Sequence, residues 1–182
     1  MTKNALIILA DGFEEIEGIT PIDILRRAGI TVTVAGLGKQ EINSARSVKI
    51  LTDKVLDETD AYYDALILPG GGLGAENLAA SPLVAQIIKK MFTDKKLITA
   101  ICASPAGVLA PTGVLDGKSA TGYPGDEHLF GKSTHVKSAA VVTDGNVITS
   151  QGPGTAAEYS FAIVEYLAGK NIGDKVKKAM LF

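Results

Sequence analysis

Apolar positions fall along this chain in two alternating rhythms. Ala5-Leu6-Ile7-Ile8-Leu9-Ala10 is an unbroken apolar run, the pattern of a parallel strand buried on both faces. It gives way at once to Asp11, Glu14, Glu15 and Glu17. From Glu14 to Ala28 the residues Ile16, Ile19, Ile22, Ile24 and Leu25 recur at helical spacing, and Gly29 supplies the stop. Ile30 to Ala35 predicts a second strand. Ala65 to Leu68 predicts a third, closed by Pro69-Gly70-Gly71-Gly72, with the following helix delayed beyond those glycines. Leu83 to Phe92 reads as a helix and Leu97 to Ile101 as a further strand. Such alternation predicts an α/β fold: a right-handed, mostly parallel central sheet flanked by helices.

Two segments break the rhythm. Val48 to Leu51 reads as a short strand off the main pattern. Ala139 to Ser150 reads as an added β-hairpin, with Asp144-Gly145 fitting a type I′ turn. Gly152-Pro153-Gly154-Thr155 leads into a helix from Ala156 to Leu167, and a short helix from about Gly173 to Met180 closes the chain. With no internal repeat, linker or low-complexity stretch, residues 1–182 are expected to form a single domain.

Composition narrows the class. A content of 46% hydrophobic residues with 20 glycines is that of a globular chain. A net charge of -2 argues against a generic nucleic-acid surface. A single cysteine excludes an intrachain disulfide framework and fits a reducing compartment. No apolar run is long enough to cross a membrane, and the first is too short for a signal peptide, so the expected location is cytoplasmic.

That cysteine, Cys102, is the leading candidate for chemistry. It stands between the strand ending at Ile101 and a segment, Ala103 to Ala110, that reads as a helix start with Pro105 in its first turn. A strand-to-helix turn exposes a nucleophile above the sheet, as in the elbow of the hydrolases, and the helix N-terminus favours a thiolate. Away from such a turn, a lone cysteine is a small buried hydrophobe. The Pro69 to Gly72 turn follows another strand, so both belong on the carboxyl edge where open α/β sheets bind ligands. Its glycines let backbone N–H groups approach an oxyanion. A purely structural turn is the plainer reading.

Of the acidic cluster, Glu14 and Glu15 suit a helix N-terminus. Glu17 lies one turn further in, among Ile16, Gly18 and Ile19, where burial favours its protonated form, although a solvated helix carboxylate has the same sequence. The only histidines are His128 and His135. His128 is a secondary partner for Cys102; His135 reads as a strand residue facing solvent. One cysteine and two histidines do not suit a zinc site. Arg26, Arg27 and Arg46 form an anion site only if the fold or a dimer gathers them.

Five segments together resemble one family. Ala10-Asp11-Gly12-Phe13-Glu14-Glu15-Ile16-Glu17, Pro21 to Ile30, Leu68-Pro69-Gly70-Gly71, Ala100-Ile101-Cys102-Ala103 and Thr149 to Thr155 are similar, in order and over essentially the whole chain, to the ThiJ/PfpI superfamily, in its DJ-one branch. The resemblance implies a flavodoxin-like sandwich that forms a homodimer. It implies that Cys102 is a nucleophilic, easily oxidised cysteine and that Glu17 is the protonated glutamate bonded to it. Gly71, Gly72 and Ala103 would be the backbone donors at the sulfur, and Arg27 and Arg46 an anion rim completed across the dimer. Tyr123 stands where several members have a histidine, and Ala103 where the protease branch has one, so a Cys–His peptidase is not expected. The implied activity is cofactor-independent and metal-free: glyoxalase or deglycase chemistry on methylglyoxal-like 2-oxoaldehydes or their early amine and thiol adducts. The alternative is an oxidative-stress sensor whose Cys102 goes to sulfinic acid.

Overall fold

The computed structural model describes residues 2–57, 60 and 62–182. One sheet organises the chain. Its strands are β1 (Asn4–Leu9), β2 (Thr31–Gly36), β5 (Lys54–Val55), β6 (Ala65–Leu68), β7 (Leu97–Ile101), β10 (Val141–Asp144) and β11 (Val147–Ser150), in the spatial order β10-β11-β7-β6-β1-β2-β5. All neighbours pair in parallel except the β10–β11 hairpin at one edge. From β1 the chain first builds outward to β2 and β5, then returns to build β6, β7 and β11 on the other side. The switch between β1 and β6 opens a crevice at the carboxyl edge.

Alternation along the strands sorts side chains onto two faces. Leu6, Ile8, Leu66, Leu68, Ile98 and Ala100 join one buried cluster, with α2 (Gly72–Ala79) and α3 (Pro82–Thr93). Ala5, Ile7, Leu9, Ala65, Ile67 and Ile101 join the other, with α1 (Glu15–Arg27), α4 (Ala156–Ala168) and α5 (Lys170–Ala179). Helices on both faces give the flavodoxin-like α/β sandwich. A small antiparallel pair, β3 (Glu41–Asn43) with β4 (Lys49–Leu51), and a parallel pair, β8 (Ser119–Ala120) with β9 (Thr134–His135), lie outside the main sheet.

Four local expectations are corrected. The helix after Leu68 is not delayed, because α2 starts at Gly72. The hairpin register pairs Asp144 with Val147, so the turn residues are Gly145 and Asn146. Only Gly145 has positive φ, +60°, which excludes type I′ and fits type II′. The terminal helix starts at Lys170, three residues before Gly173, with Gly169 as its N-cap. After Cys102 the chain forms no α-helix but one π turn, Pro105–Leu109, running into a 3-10 turn, Ala110–Thr112. Pro111 has no N–H to continue a helix there.

Candidate active site

Three strand ends meet at the crevice: β1 leads to α1, β6 to the Pro69-Gly70-Gly71 turn, and β7 to Cys102. The Cys102 backbone sits at φ +64°, in the left-handed region. For a residue with a Cβ this costs roughly 1–2 kcal/mol. The neighbourhood holds it there. Its N–H donates to the Ser150 carbonyl at 3.0 Å, and its own carbonyl accepts from the Tyr123 N–H at 2.9 Å. The Ser104 hydroxyl donates to the Pro69 carbonyl at 2.6 Å, tying the two turns together. The sharp turn expected after the strand at Cys102 is thus present.

Gly70 separates the elbow from α1. Its N–H donates to Glu17 Oε2 at 2.8 Å. A Cβ at Gly70 would lie 2.6 Å from the Cys102 Cβ and 2.8 Å from Glu17 Oε2. No side chain fits, and this steric reason for glycine escaped the sequence reading. Gly71, at φ +88°, then turns the chain into α2.

Glu17 is fully buried. Among the described residues its Oε1 has no nitrogen or oxygen partner, which leaves the Cys102 sulfur as the polar group it interacts with. Burial pushes the carboxyl up to about 7, against the pull of its hydrogen bonds with Cys102 and Gly70. Burial, then the Glu17 charge, push the Cys102 thiol up to about 12, against the N–H groups of Gly71 and Ala103 at the sulfur. The thiol is therefore raised, not lowered as the expected helix N-terminus implied. One π turn gives a weaker dipole than a helix, and desolvation outweighs it. The two groups behave as one unit: the pair gives up its first proton near neutrality and holds the second far above it.

Cys102, Ala103, Gly71, Arg46, Tyr123 and Pro153 are among the residues lining a cavity of about 560 Å³ over the sulfur. Gly72 lines it too but is not one of the groups bonded to the sulfur. It is the first residue of α2, and its N–H has no partner among the described residues. Arg46 is set in the wall by Glu15, whose Oε1 accepts from the Arg46 N–H at 2.6 Å and from the Ser44 hydroxyl at 2.5 Å.

Other expected residues lie elsewhere. Arg27 is paired with Asp23 at 2.9 Å on the last turn of α1 and does not line the cavity. Ten residues of helix rise carry it about 15 Å along the axis from Glu17. The anion rim is thus reduced, within one chain, to Arg46. His128 is exposed and does not line the cavity. His135 is in β9 as expected, yet it does not face solvent. Its ring packs on Phe130 with centroids 4.6 Å apart, and both ring nitrogens are buried. Among the described residues no group of three or more His, Cys, Asp or Glu is placed to hold a metal ion.

Beneath the site lies a polar pair that the sequence reading missed. The fully buried Tyr159 hydroxyl donates to Thr99 Oγ1 at 2.7 Å, which donates on to the Leu66 carbonyl at 2.9 Å. Burial, and then the Glu17 charge, raise the tyrosine's pKa, so it stays neutral. Apolar periodicity carries no signal for such a pair.

Comparison with known proteins agrees with this fold. The model of the DJ-1/PfpI family matches residues 3–166. The Parkinson disease protein 7 homolog of Danio rerio is 45% identical over 184 residues, covering 98% of this chain and 97% of the relative. The glutathione-independent glyoxalase DJR-1.2 of Caenorhabditis elegans is 36% identical over 169 residues, covering 92% and 90%. The crystal structure of Drosophila melanogaster DJ-1beta superposes with a TM-score of 0.95 at 44% identity, covering 100% of this chain and 98% of that one.

Proposed function

The chain belongs to the DJ-1/PfpI family, and from that premise we propose that it is a cofactor-independent glyoxalase-type enzyme acting on small 2-oxoaldehydes or their early adducts. The observation that carries this reading is the elbow cysteine, with backbone N–H groups at its sulfur and a fully buried carboxyl beside it. The relative named as a glutathione-independent glyoxalase supports it.

The chemistry balances without an outside oxidant or reductant. The Cys102 thiolate adds to the aldehyde carbon, and the carbonyl π pair moves to oxygen. Donors at Gly71, Gly72 and Ala103 stabilise that oxyanion until Glu17 protonates it, giving a hemithioacetal. Glu17, now a carboxylate, removes the proton on that carbon while the neighbouring carbonyl oxygen takes up the hydroxyl proton by way of an enediol, and Glu17 then returns its proton to the neighbouring carbon. The product is a thioester of a 2-hydroxy acid. Water cleaves it, releasing the acid and restoring the thiol. The net reaction is 2-oxoaldehyde plus water to 2-hydroxy acid. The adduct form of the substrate would enter through the same attack on a masked carbonyl.

A lactate assay with methylglyoxal tests this. The wild type should produce lactate, while Cys102→Ser and Glu17→Leu should each lose at least about a hundredfold, the scale of one acid–base or nucleophilic contribution. The sensor alternative gives the opposite result: selective oxidation of Cys102 by peroxide with no lactate above the Cys102→Ser background. Lactate from Cys102→Ser at the wild-type rate would remove the enzyme reading.

A further inference from the structure

The cavity wall is unbalanced in charge. Three carboxylates line it, Glu14, Glu76 and Asp126, against one guanidinium, Arg46. Elsewhere the described carboxylates have found cations. Those with no cation within ion-pair distance are Glu14, Glu15, Glu17, Glu76, Asp126 and Glu158. All but Glu158 lie in the cavity wall or on the start of α1 behind it. Glu14 is engaged, since its side chain accepts the Glu17 N–H at 2.9 Å, and Glu15 holds Ser44 and Arg46. The side chains of Glu76 and Asp126 accept no hydrogen bond among the described residues. They come from separate elements, α2 and the loop after Tyr123, and line the same space. Among the described residues, Arg46 has only the Ala45 carbonyl, at 3.3 Å, as a guanidinium partner.

Concave walls of one sign focus potential and raise the local concentration of the opposite charge. The cavity, about 560 Å³, is far larger than a three-carbon aldehyde fills and falls in the range of ~300–1,000 Å³ that holds drug-sized ligands. The space beyond the reacting carbonyl is therefore bordered by free carboxylates.

We propose that Glu76 and Asp126 are specificity-determining residues that make the Cys102 site select carbonyl substrates bearing a cationic tail, an amine or guanidinium, over those bearing a carboxylate or phosphate. The proposal deepens the reading of Cys102 as a carbonyl-attacking nucleophile and rests on it for the word substrate. The charge selection itself is a property of the cavity.

The single cysteine lets the field at the sulfur be read without turnover. Two methanethiosulfonates of similar size, one carrying a trimethylammonium and one a sulfonate, each form a mixed disulfide with Cys102 and expel methanesulfinate. The measured quantity is the cation-to-anion rate ratio, divided by the same ratio for a small free thiol. The normalised ratio should be about tenfold or more at low salt and should fall toward one as salt shortens the Debye length below ~10 Å. A unit charge on the order of 8 Å from a charged reagent changes its rate about threefold, in opposite directions for the two reagents, so Glu76→Gln and Asp126→Asn should each lower the ratio about tenfold. Both side chains are solvent-accessible, so neither change threatens the fold. A normalised ratio of one or less, or ratios unmoved by both variants, would overturn the proposal. Where the lactate assay succeeds, phenylglyoxal bearing a trimethylammonium should surpass its carboxylate analogue in kcat/KM, with the difference in KM. A high reagent ratio with no hydroxy acid formed would sink the enzyme reading alone. Hydroxy acid formed with a flat ratio would sink charge selection alone.

Discussion

At the scale of single residues, the proposed chemistry reduces to where one proton sits between Glu17 and Cys102. Burial raises the Glu17 carboxyl to about 7, above its unfolded value. A folded pKa raised above the unfolded one means that the native state binds the extra proton. That stabilisation is complete below about 4.3 and is lost as pH climbs through 7. The loss is on the order of 3 kcal/mol. Glu17→Gln, which keeps the shape and cannot ionise, should match the wild type in urea unfolding at pH 4 and exceed it by up to that amount at pH 8. Identical pH slopes in the two proteins would refute the assignment. The proton that leaves near neutrality is the carboxyl's, because burial and then the Glu17 charge hold the thiol far higher despite the N–H groups of Gly71 and Ala103 at the sulfur. Absorbance near 240 nm, the thiolate band, should therefore show no step near pH 7 and rise only well above it, in a step that disappears in Cys102→Ser. A thiolate step close to pH 7 would show that the first proton leaves the sulfur instead. Cys102 was legible because its neighbours in sequence make the elbow. Glu17 was not separable from its acidic neighbours until the whole-chain resemblance singled it out, because burial is a tertiary fact.

At the scale of elements, the elbow stores strain that can be measured. Cys102 occupies φ +64°, where only glycine is free of the Cβ penalty. Comparing Cys102→Gly with Cys102→Ala removes the sulfur from both and isolates the backbone. The glycine variant should be more stable by about 1 kcal/mol despite its more flexible unfolded chain. An alanine variant that unfolds at equal or higher denaturant would show that the turn is relaxed. The main sheet was readable because its interior strands are buried on both faces and appear as continuous apolar runs. β8 and β9 have two residues each, too few for a period to register. α2 was missed because its start, Gly72-Leu73-Gly74, has poor helix propensity, and tertiary packing decides it. Gly74 leaves no room for a Cβ, which would lie 2.7 Å from the Phe13 Cα. The hairpin turn type depends on which residues pair, and that register is set by β11 lying against β7.

At the scale of the whole molecule, the amphipathic reading of α1 leaves a surplus. Ile24 and Leu25 are fully buried on the core side, while Ile16 is 52% and Ile19 40% exposed. Leu51, on β4, is 78% exposed, and Val48 lies just before that strand with its side chain also open. Apolar side chains gathered on α1 and the β3–β4 hairpin are the kind of surface that a second copy covers. The exposed stripe begins at the turn that carries Glu17, so a symmetric contact along α1 would abut the site. With the two helices antiparallel, such a contact would bring the Arg27 end of one copy toward the Glu15–Glu17 end of the other. That would supply the guanidinium which a single chain keeps about 15 Å away, and the cavity would still carry three carboxylates against two guanidiniums. Sedimentation should give about twice the chain mass of 18.9 kDa at micromolar concentration. Ile19→Glu should weaken association sharply, because the symmetry buries its unpaired charge twice. The exposed site of that change should leave the unfolding midpoint of the separated chain nearly unaltered, which distinguishes lost association from lost folding. A wild type that sediments as a monomer would leave Ile16, Ile19 and Leu51 as open apolar surface and Arg27 as nothing more than a partner of Asp23.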